Sequence, residues 1–188
     1  MLMVCLPGAS PAQVQLRPGQ QLAINSSTMD LGDHAIPCVT DWNNDGLPDL
    51  LVGYQPAFKV ALFLNSGSPG HPVYSNFSNV VAGSSDIYCP ASGCGSPAPF
   101  VCDYDHDGRK DLLVGSGADG RIWFYKNTNT DAAPILAAGV LLLLNNAPLS
   151  VGIRSTPFIY DWDGDQVPDL LSGDGLGYVH FFKNTGAA

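Results

Sequence analysis

One unit occurs three times in this chain, and any fold must accommodate all three copies. The run DWNNDGLPDLLVG from Asp41 to Gly53 recurs as DYDHDGRKDLLVG from Asp103 to Gly115 and as DWDGDQVPDLLSG from Asp161 to Gly173. The first Asp residues stand 62 and then 58 positions apart, and Pro37, Pro99 and Pro157 each precede their copy by four residues. Each copy then reaches an apolar run ending in Asn: VALFLN to Asn65, IWFYKN to Asn127 and VHFFKN to Asn184. Repeats of this length mark blades, solenoids or arrays, since one supersecondary unit cannot bury its apolar face alone. Within a unit we read a short apolar strand, the acidic loop, a second strand from the last Asp of the loop, a Gly- or Pro-containing turn and an aromatic third strand. A fourth, more polar strand is expected to open at Pro72-Val73-Tyr74 after copy one and at Pro134-Ile135-Leu136 after copy two. Four antiparallel strands per unit make a β-propeller blade. The expected class is all-β, with three four-stranded antiparallel blades forming a partial propeller or part of a larger or oligomeric ring.

The expected boundaries are a single propeller domain over residues 13–188, with blade cores at about 34–82, 97–144 and 155–186. Residues 13–24 stand where a fourth strand would stand before copy one, so they are expected to be a closing strand able to complete the last blade. A head-to-tail dimer would then hold six blades, and further blades in a longer chain are the alternative. Residues 1–12 resemble the back half of a secretory signal without its basic part, or else a plain terminus.

Composition narrows function. All 17 acidic residues are Asp against 8 basic ones, for a net charge of −9. Asp, 21 Gly and 15 Pro favour turns over helices. Such an acidic chain lacks the clustered Lys and Arg that a phosphate backbone requires, so nucleic acid is excluded as a partner. No apolar run approaches the 18 or so residues of a membrane-spanning helix.

Eleven of the 17 Asp lie in the three loops. Carboxylates fall at loop positions 1, 3, 5 and 9, apart from Asn43 at position 3 of the first loop. Alternate residues of a tightly wound loop point inward, so positions 1, 3 and 5, the carbonyl of position 7 and Asp at 9 can form an oxygen cage. An all-oxygen donor set suits Ca²⁺ better than a transition metal. An EF-hand is excluded, because position 12 is Val52, Val114 or Ser172 rather than Glu and each loop runs into a strand. About three ions, one per loop, are expected, which would bring the formal charge to −3. The second loop is expected to bind most tightly, since the first has one carboxylate fewer and the third has Gln166 where the others have Gly.

The runs, with their D-x-[DN]-x-D-G-x-x-D-L-L-x-G core, from which the third departs at Gln166, resemble the FG-GAP or VCBS repeats of integrin alpha-subunit propellers and of many secreted proteins. That resemblance implies calcium held in the loop between the first two strands of each blade. Carried over by position, the ligands are Asp41, Asn43, Asp45, Asp49 and the Leu47 carbonyl; Asp103, Asp105, Asp107, Asp111 and the Arg109 carbonyl; and Asp161, Asp163, Asp165, Asp169 and the Val167 carbonyl.

No catalytic constellation is present: His34, His71, His106 and His180 are scattered, and there is no G-x-S-x-G elbow or phosphate loop. The expectation is a secreted or cell-surface recognition or adhesion module without enzymatic activity, binding an extracellular protein or a glycan. A lectin binding sugars between blades and a structural spacer or accessory domain of a larger secreted enzyme are the alternatives. For a glycan, Trp42, Tyr104, Trp162 and Trp123 offer stacking faces, although loop position 2 would equally serve to pack neighbouring blades. Of the five cysteines, Cys89 and Cys94 flank a short turn-rich loop that can close as a local disulfide, whereas Cys38 and Cys102 read as buried thiols.

Overall fold

A computed structural model describes residues 18–89 and 95–186. It is all-β. Blade one pairs Ile36–Thr40, Asp49–Tyr54, Lys59–Phe63 and Ser78–Asn79 in that order, every pair antiparallel. Blade two repeats the order with Ala98–Cys102, Asp111–Gly115, Ile122–Tyr125 and Val140–Leu141. Blade three contributes Thr156–Tyr160, Asp169–Gly173 and Val179–Phe182, three strands among the described residues. The register is the same in each: Pro37 faces Val52, Pro99 faces Val114 and Pro157 faces Ser172. These are propeller blades, and among the described residues they do not close into a barrel.

Packing between blades explains the apolar second strands. Asp49–Tyr54 and Asp111–Gly115 are buried almost throughout. Leu51 and Val60 of blade one meet Leu112 and Val114 of blade two in one cluster, and Leu113 and Ile122 meet Leu170 of blade three in the next. Burying such a side chain fully stabilises by about 1.5–3 kcal/mol, so these seams hold the array together. The glycines near the end of the second strands of blades one and two have a steric reason. A Cβ on Gly53 would lie 1.7 Å from the Pro97 carbonyl oxygen, and one on Gly115 2.1 Å from that of Ser155. The next blade's backbone therefore approaches to a distance that excludes any larger residue.

The fourth strands differ from the sequence-based expectation. At Tyr74 and Leu136 the contact with the end of the third strand is an isolated bridge, to Asn65 and Asn127. Ladder pairing starts later, at Ser78 and Val140. The cause lies in the Asn side chains: Asn65 Oδ1 accepts the Val73 amide (3.0 Å) and Asn127 Oδ1 the Ile135 amide (3.1 Å), diverting these backbones from regular pairing.

A hairpin follows each fourth strand, at Val81–Ala82/Ser85–Asp86 and Leu143–Leu144/Ala147–Pro148. A third such hairpin, Ala23–Ile24/Ser27–Thr28, precedes blade one. Its central Asn25 and Ser26 have positive φ, as do Asn145 and Asn146, which matches the tight turns that suit twisted strands. The hairpins pack forward: Ile24 bridges Tyr74 of blade one in parallel, as Ala82 bridges Leu136 of blade two. Of the expected closing strand, residues 13–17 lie outside the described residues, as do residues 1–12, and Ala23–Ile24 belongs to this hairpin.

Candidate metal centres

Each acidic loop is wound by its own carboxylates. The position 1 Asp accepts backbone N–H groups from across the loop: Asp41 from Asp45 (3.0 Å) and Gly46 (2.9 Å), Asp103 from Asp107 and Gly108, Asp161 from Gly164 and Gln166. The position 5 Asp accepts the amide of position 7, as Asp107 does from Arg109 at 3.0 Å. This winding places positions 4 and 6 in the left-handed region: Asn44 and Gly46, His106 and Gly108, Gly164 and Gln166. Gln166 thus adopts, at φ +69, the conformation that glycine takes in the other loops, and the third loop has its glycine two residues earlier.

Position 9 has a different task. Asp49, Asp111 and Asp169 are fully buried, and each carboxylate joins two backbones. Asp111 accepts the Tyr104 amide (3.1 Å) at the loop start and the Asn127 amide (2.8 Å) at the end of the third strand. Asp49 bonds Trp42 and Asn65 in the same way, and Asp169 bonds Trp162 and Asn184. Burial pushes the Asp111 carboxyl above its ordinary range, against the pull of these amides. The Asn at the strand end continues the brace: Asn65 and Asn184 donate to the Pro48 and Pro168 carbonyls, while the buried Asn127 Nδ2 has no hydrogen-bond partner. Sequence reading marked these Asn residues as strand ends without assigning them this role.

Carboxylate oxygens of Asp103, Asp105 and Asp111 lie within 4.8 Å of one another, and so do those of Asp161, Asp163 and Asp169. Three hard oxygen donors at that spacing fit a divalent cation such as Ca²⁺. Position 5 stands apart from these clusters. Lys126 Nζ bonds Asp105 and lies 2.7 Å from Asp107; Lys183 Nζ bonds Asp163 and lies 2.9 Å from Asp165. The ammonium groups hold Asp107 and Asp165 below the usual carboxylate range, and both lysines are raised in return. Loop one has Leu64 where the others have Lys, and there the Asn43 amide donates to Asp45 at 2.9 Å. Neither lysine was anticipated as part of the loops, although each directly precedes the strand-end Asn.

Two of the aromatic residues considered for glycan stacking are placed otherwise. Trp42 is buried in the seam between blades one and two, and Tyr104 packs on Phe124 in the next seam. Their faces serve blade packing, which corrects the stacking expectation for both. Trp123 is half-buried against the first seam, and Trp162 is 64% exposed. Cys89 is a buried thiol raised to about 12 by desolvation, and Cys102 is raised to about 12 for the same reason. Cys94, the other half of the suggested disulfide, lies outside the described residues.

Comparison with known proteins agrees with this architecture. The FG-GAP-like repeat family matches over residues 41–114 and again over 103–172. Human integrin alpha-7 is 32% identical over 156 residues, covering 72% of this chain, and mouse integrin alpha-7 is 31% identical over 150 residues. The chain spans only 11–12% of the length of these relatives. No solved structure matches. With the repeated blade, the loop geometry and the family match in agreement, the chain belongs to the FG-GAP-like repeat family.

Proposed function

We propose that this chain is a calcium-binding propeller module of a secreted or cell-surface protein, acting in recognition or adhesion toward an extracellular protein. The convergence of Asp103, Asp105 and Asp111, repeated by Asp161, Asp163 and Asp169, carries the reading. The donors are all oxygen, which selects hard cations over zinc or copper. Positions 1 and 9 are held by backbone amides before any ion arrives, so binding orders little more than positions 3 and 5. Loop one supplies Asp41, Asn43, Asp45 and Asp49 in the same winding. The likeness to integrin alpha-7 supports a role at the cell surface, and an ion in each loop would stiffen the blade ends for ligand contact.

Calorimetric titration of the chelator-treated chain with Ca²⁺ tests this. The expected result is up to three ions, with Asp105→Asn and Asp163→Asn each abolishing or weakening one of them. Heat-silent titration at millimolar Ca²⁺, with no change in thermal midpoint, would overturn the reading. The exposed Trp162 ring is the one observation favouring a glycan ligand. A glycan array probed with and without chelator examines that alternative, and absence of binding to every glycan removes it.

A further inference from the structure

Two residues before each first strand, the three blades place different side chains at one register position: His34 before Ile36, Ser96 before Ala98 and Arg154 before Thr156. The first strands run from these residues into the acidic loops, so His34, Ser96 and Arg154 lie at the opposite end of the blades. All three line one cavity of about 210 Å³, along with the apolar Ala35 and Ile36 and the hydroxyl residues Ser155 and Thr156. In a chain with 17 Asp, no carboxylate lines this cavity among the described residues. Three successive blades thus bring an imidazole, a hydroxyl and a guanidinium to one small space.

Ser96 is the unusual member. It is 2% exposed, and its Oγ has no hydrogen-bond partner. Ser155, equally buried in the same lining, donates its hydroxyl to the Arg121 carbonyl at 2.9 Å, so that group is committed to the fold. Buried hydroxyls are as a rule bonded, and one left over at a cavity wall points to a group that completes it from inside the cavity. Arg154 is held on its backbone and along its stem. Its amide donates to the Gly117 carbonyl of blade two at 3.2 Å, and its stem lies against Gly95 and Gly175, where an added Cβ would stand 3.1 Å from Cγ and Cδ respectively. His34 and Arg154 both hold positive φ, at 53° and 55°. That conformation is costly for a residue other than glycine, and Ser96, followed by Pro97, does not adopt it.

We propose that this cavity binds a carboxylate, the Asp or Glu side chain of an extracellular protein partner. The Arg154 fork matches the two oxygens of a carboxylate, the Ser96 hydroxyl donates to one of them, and the His34 imidazole offers a further N–H. Ala35 and Ile36 take the methylenes of the incoming side chain. Phosphate sites gather several cations or a nest of backbone N–H groups, and Arg154 is the one permanent cation among the described lining residues. At about 210 Å³ the space is smaller than a pocket for a drug-sized ligand and suits one side chain. The partner class rests on the recognition reading above, whereas the carboxylate site itself does not depend on calcium.

NMR titration of the 188-residue chain, once in calcium and once in chelator, tests the proposal with N-acetylglutamate methylamide as probe and the glutamine equivalent as neutral control. The expected result is saturable binding at about millimolar probe in both solutions, with amide shifts confined to the surroundings of His34, Ser96 and Arg154. The glutamine probe should bind about tenfold more weakly or not at all. Arg154→Gln and Ser96→Ala should each weaken binding by about fivefold or more, with Arg154→Lys between Arg154→Gln and the parent. Ser96→Ala should also leave the thermal midpoint unchanged or raised, because it removes a buried hydroxyl without a partner; a purely structural role would lower it. No binding up to about 50 mM probe, equal binding of the glutamine control, or full binding by Arg154→Gln would overturn the site. Tighter binding of inorganic phosphate, or of N-acetylalanine with its chain-end carboxylate, would overturn the side-chain assignment. A silent calcium titration beside a binding probe would remove the calcium reading and keep the site, and the reverse would remove the site and keep that reading.

Discussion

The first acidic loop and the other two reach similar charge by different routes. Loop one has three carboxylates, with Asn43 donating to Asp45 and Leu64 at the end of the third strand. Loops two and three have four carboxylates and a lysine at the equivalent of Leu64, held between positions 3 and 5. Counting that lysine, each loop carries about three net negative charges; Arg109 lowers the second further through its bond to Asp107, and Lys110, whose ammonium bonds the Asp41 carbonyl, lowers the first. Carboxylate number alone is therefore a poor guide to cation affinity here. At 4 Å in water one unit charge alters a divalent ion's binding by about 2 kcal/mol, so a lysine beside the site offsets about what the extra Asp adds. A resident ammonium also relieves repulsion in a loop without its cation, so loops two and three are buffered against calcium loss by a covalently attached counter-charge. Loop one achieves the same with an amide.

What the three loops share should outweigh how they differ. Asp49, Asp111 and Asp169 are buried and join two backbones each, so replacing any one with Ala orphans two backbone amides, both buried at Asp49 and part-buried at Asp169, and opens a small cavity. The expected cost is about 3–5 kcal/mol per site, with or without calcium. Urea midpoints in chelator measure it. Asp105→Asn, at an exposed position, should stay within about 0.5 kcal/mol in the same solution and act only once calcium is present. If the buried and exposed substitutions proved equal without calcium, the division between bracing and ligating carboxylates would fail.

The lysines can then be exchanged. Lys126→Leu should strengthen calcium binding at loop two by up to about tenfold and lower stability in chelator. Asn43→Asp with Leu64→Lys should leave loop one close to its parent affinity, whereas Asn43→Asp alone tightens it and steepens its salt dependence. Site-resolved titration by NMR distinguishes these cases. Acid behaviour follows the same contrast. Lys126 holds Asp107 below the unfolded carboxylate value, so its contribution to stability is complete above the ordinary carboxylate range and is lost as pH falls through the depressed value. Lys126→Leu should move the Asp107 titration, read from its carboxyl carbon shift, upward toward the ordinary range.

Much of this was legible in the chain. The ligand spacing and the strands on either side are local, so the repeat and the loops could be read from residue order alone. Packing of loop position 2 between neighbouring blades is one of the two roles the repeat allows, and Trp42 takes it. What escaped was contact across strands. Lys126 lies 21 residues from Asp105, and only the register of second on third strand brings them together. A trace existed in that Lys precedes the strand-end Asn in just the two copies with Asp at position 3. The hairpins at Ala23, Val81 and Leu143 escaped for another reason. Their sequences differ; what all three share is the closing bond from Met29, Ile87 and Leu149 to Leu22, Val80 and Leu142, and the first two bridge forward to Tyr74 and Leu136.

The smallest expected effect concerns a backbone feature in which loop three departs from its siblings. Gln166 holds φ +69 at the position where Gly46 and Gly108 hold φ +86 and +83. A side chain in the left-handed region is disfavoured by about 1–2 kcal/mol relative to glycine, and glycine returns part of that through its greater freedom in the unfolded chain. Gln166→Gly should therefore stabilise by no more than about 1 kcal/mol. The Gln166 amide donates to Asp161 at 3.0 Å, a bond that glycine retains, so calcium affinity at loop three should change less than twofold. The reverse changes, Gly46→Gln and Gly108→Gln, meet no atom within 4 Å and should cost the same small amount. Thermal midpoints of the three variants decide this. A larger loss in loops one and two than the gain in loop three would show that Gly164, two residues before Gln166, already relieves the third loop.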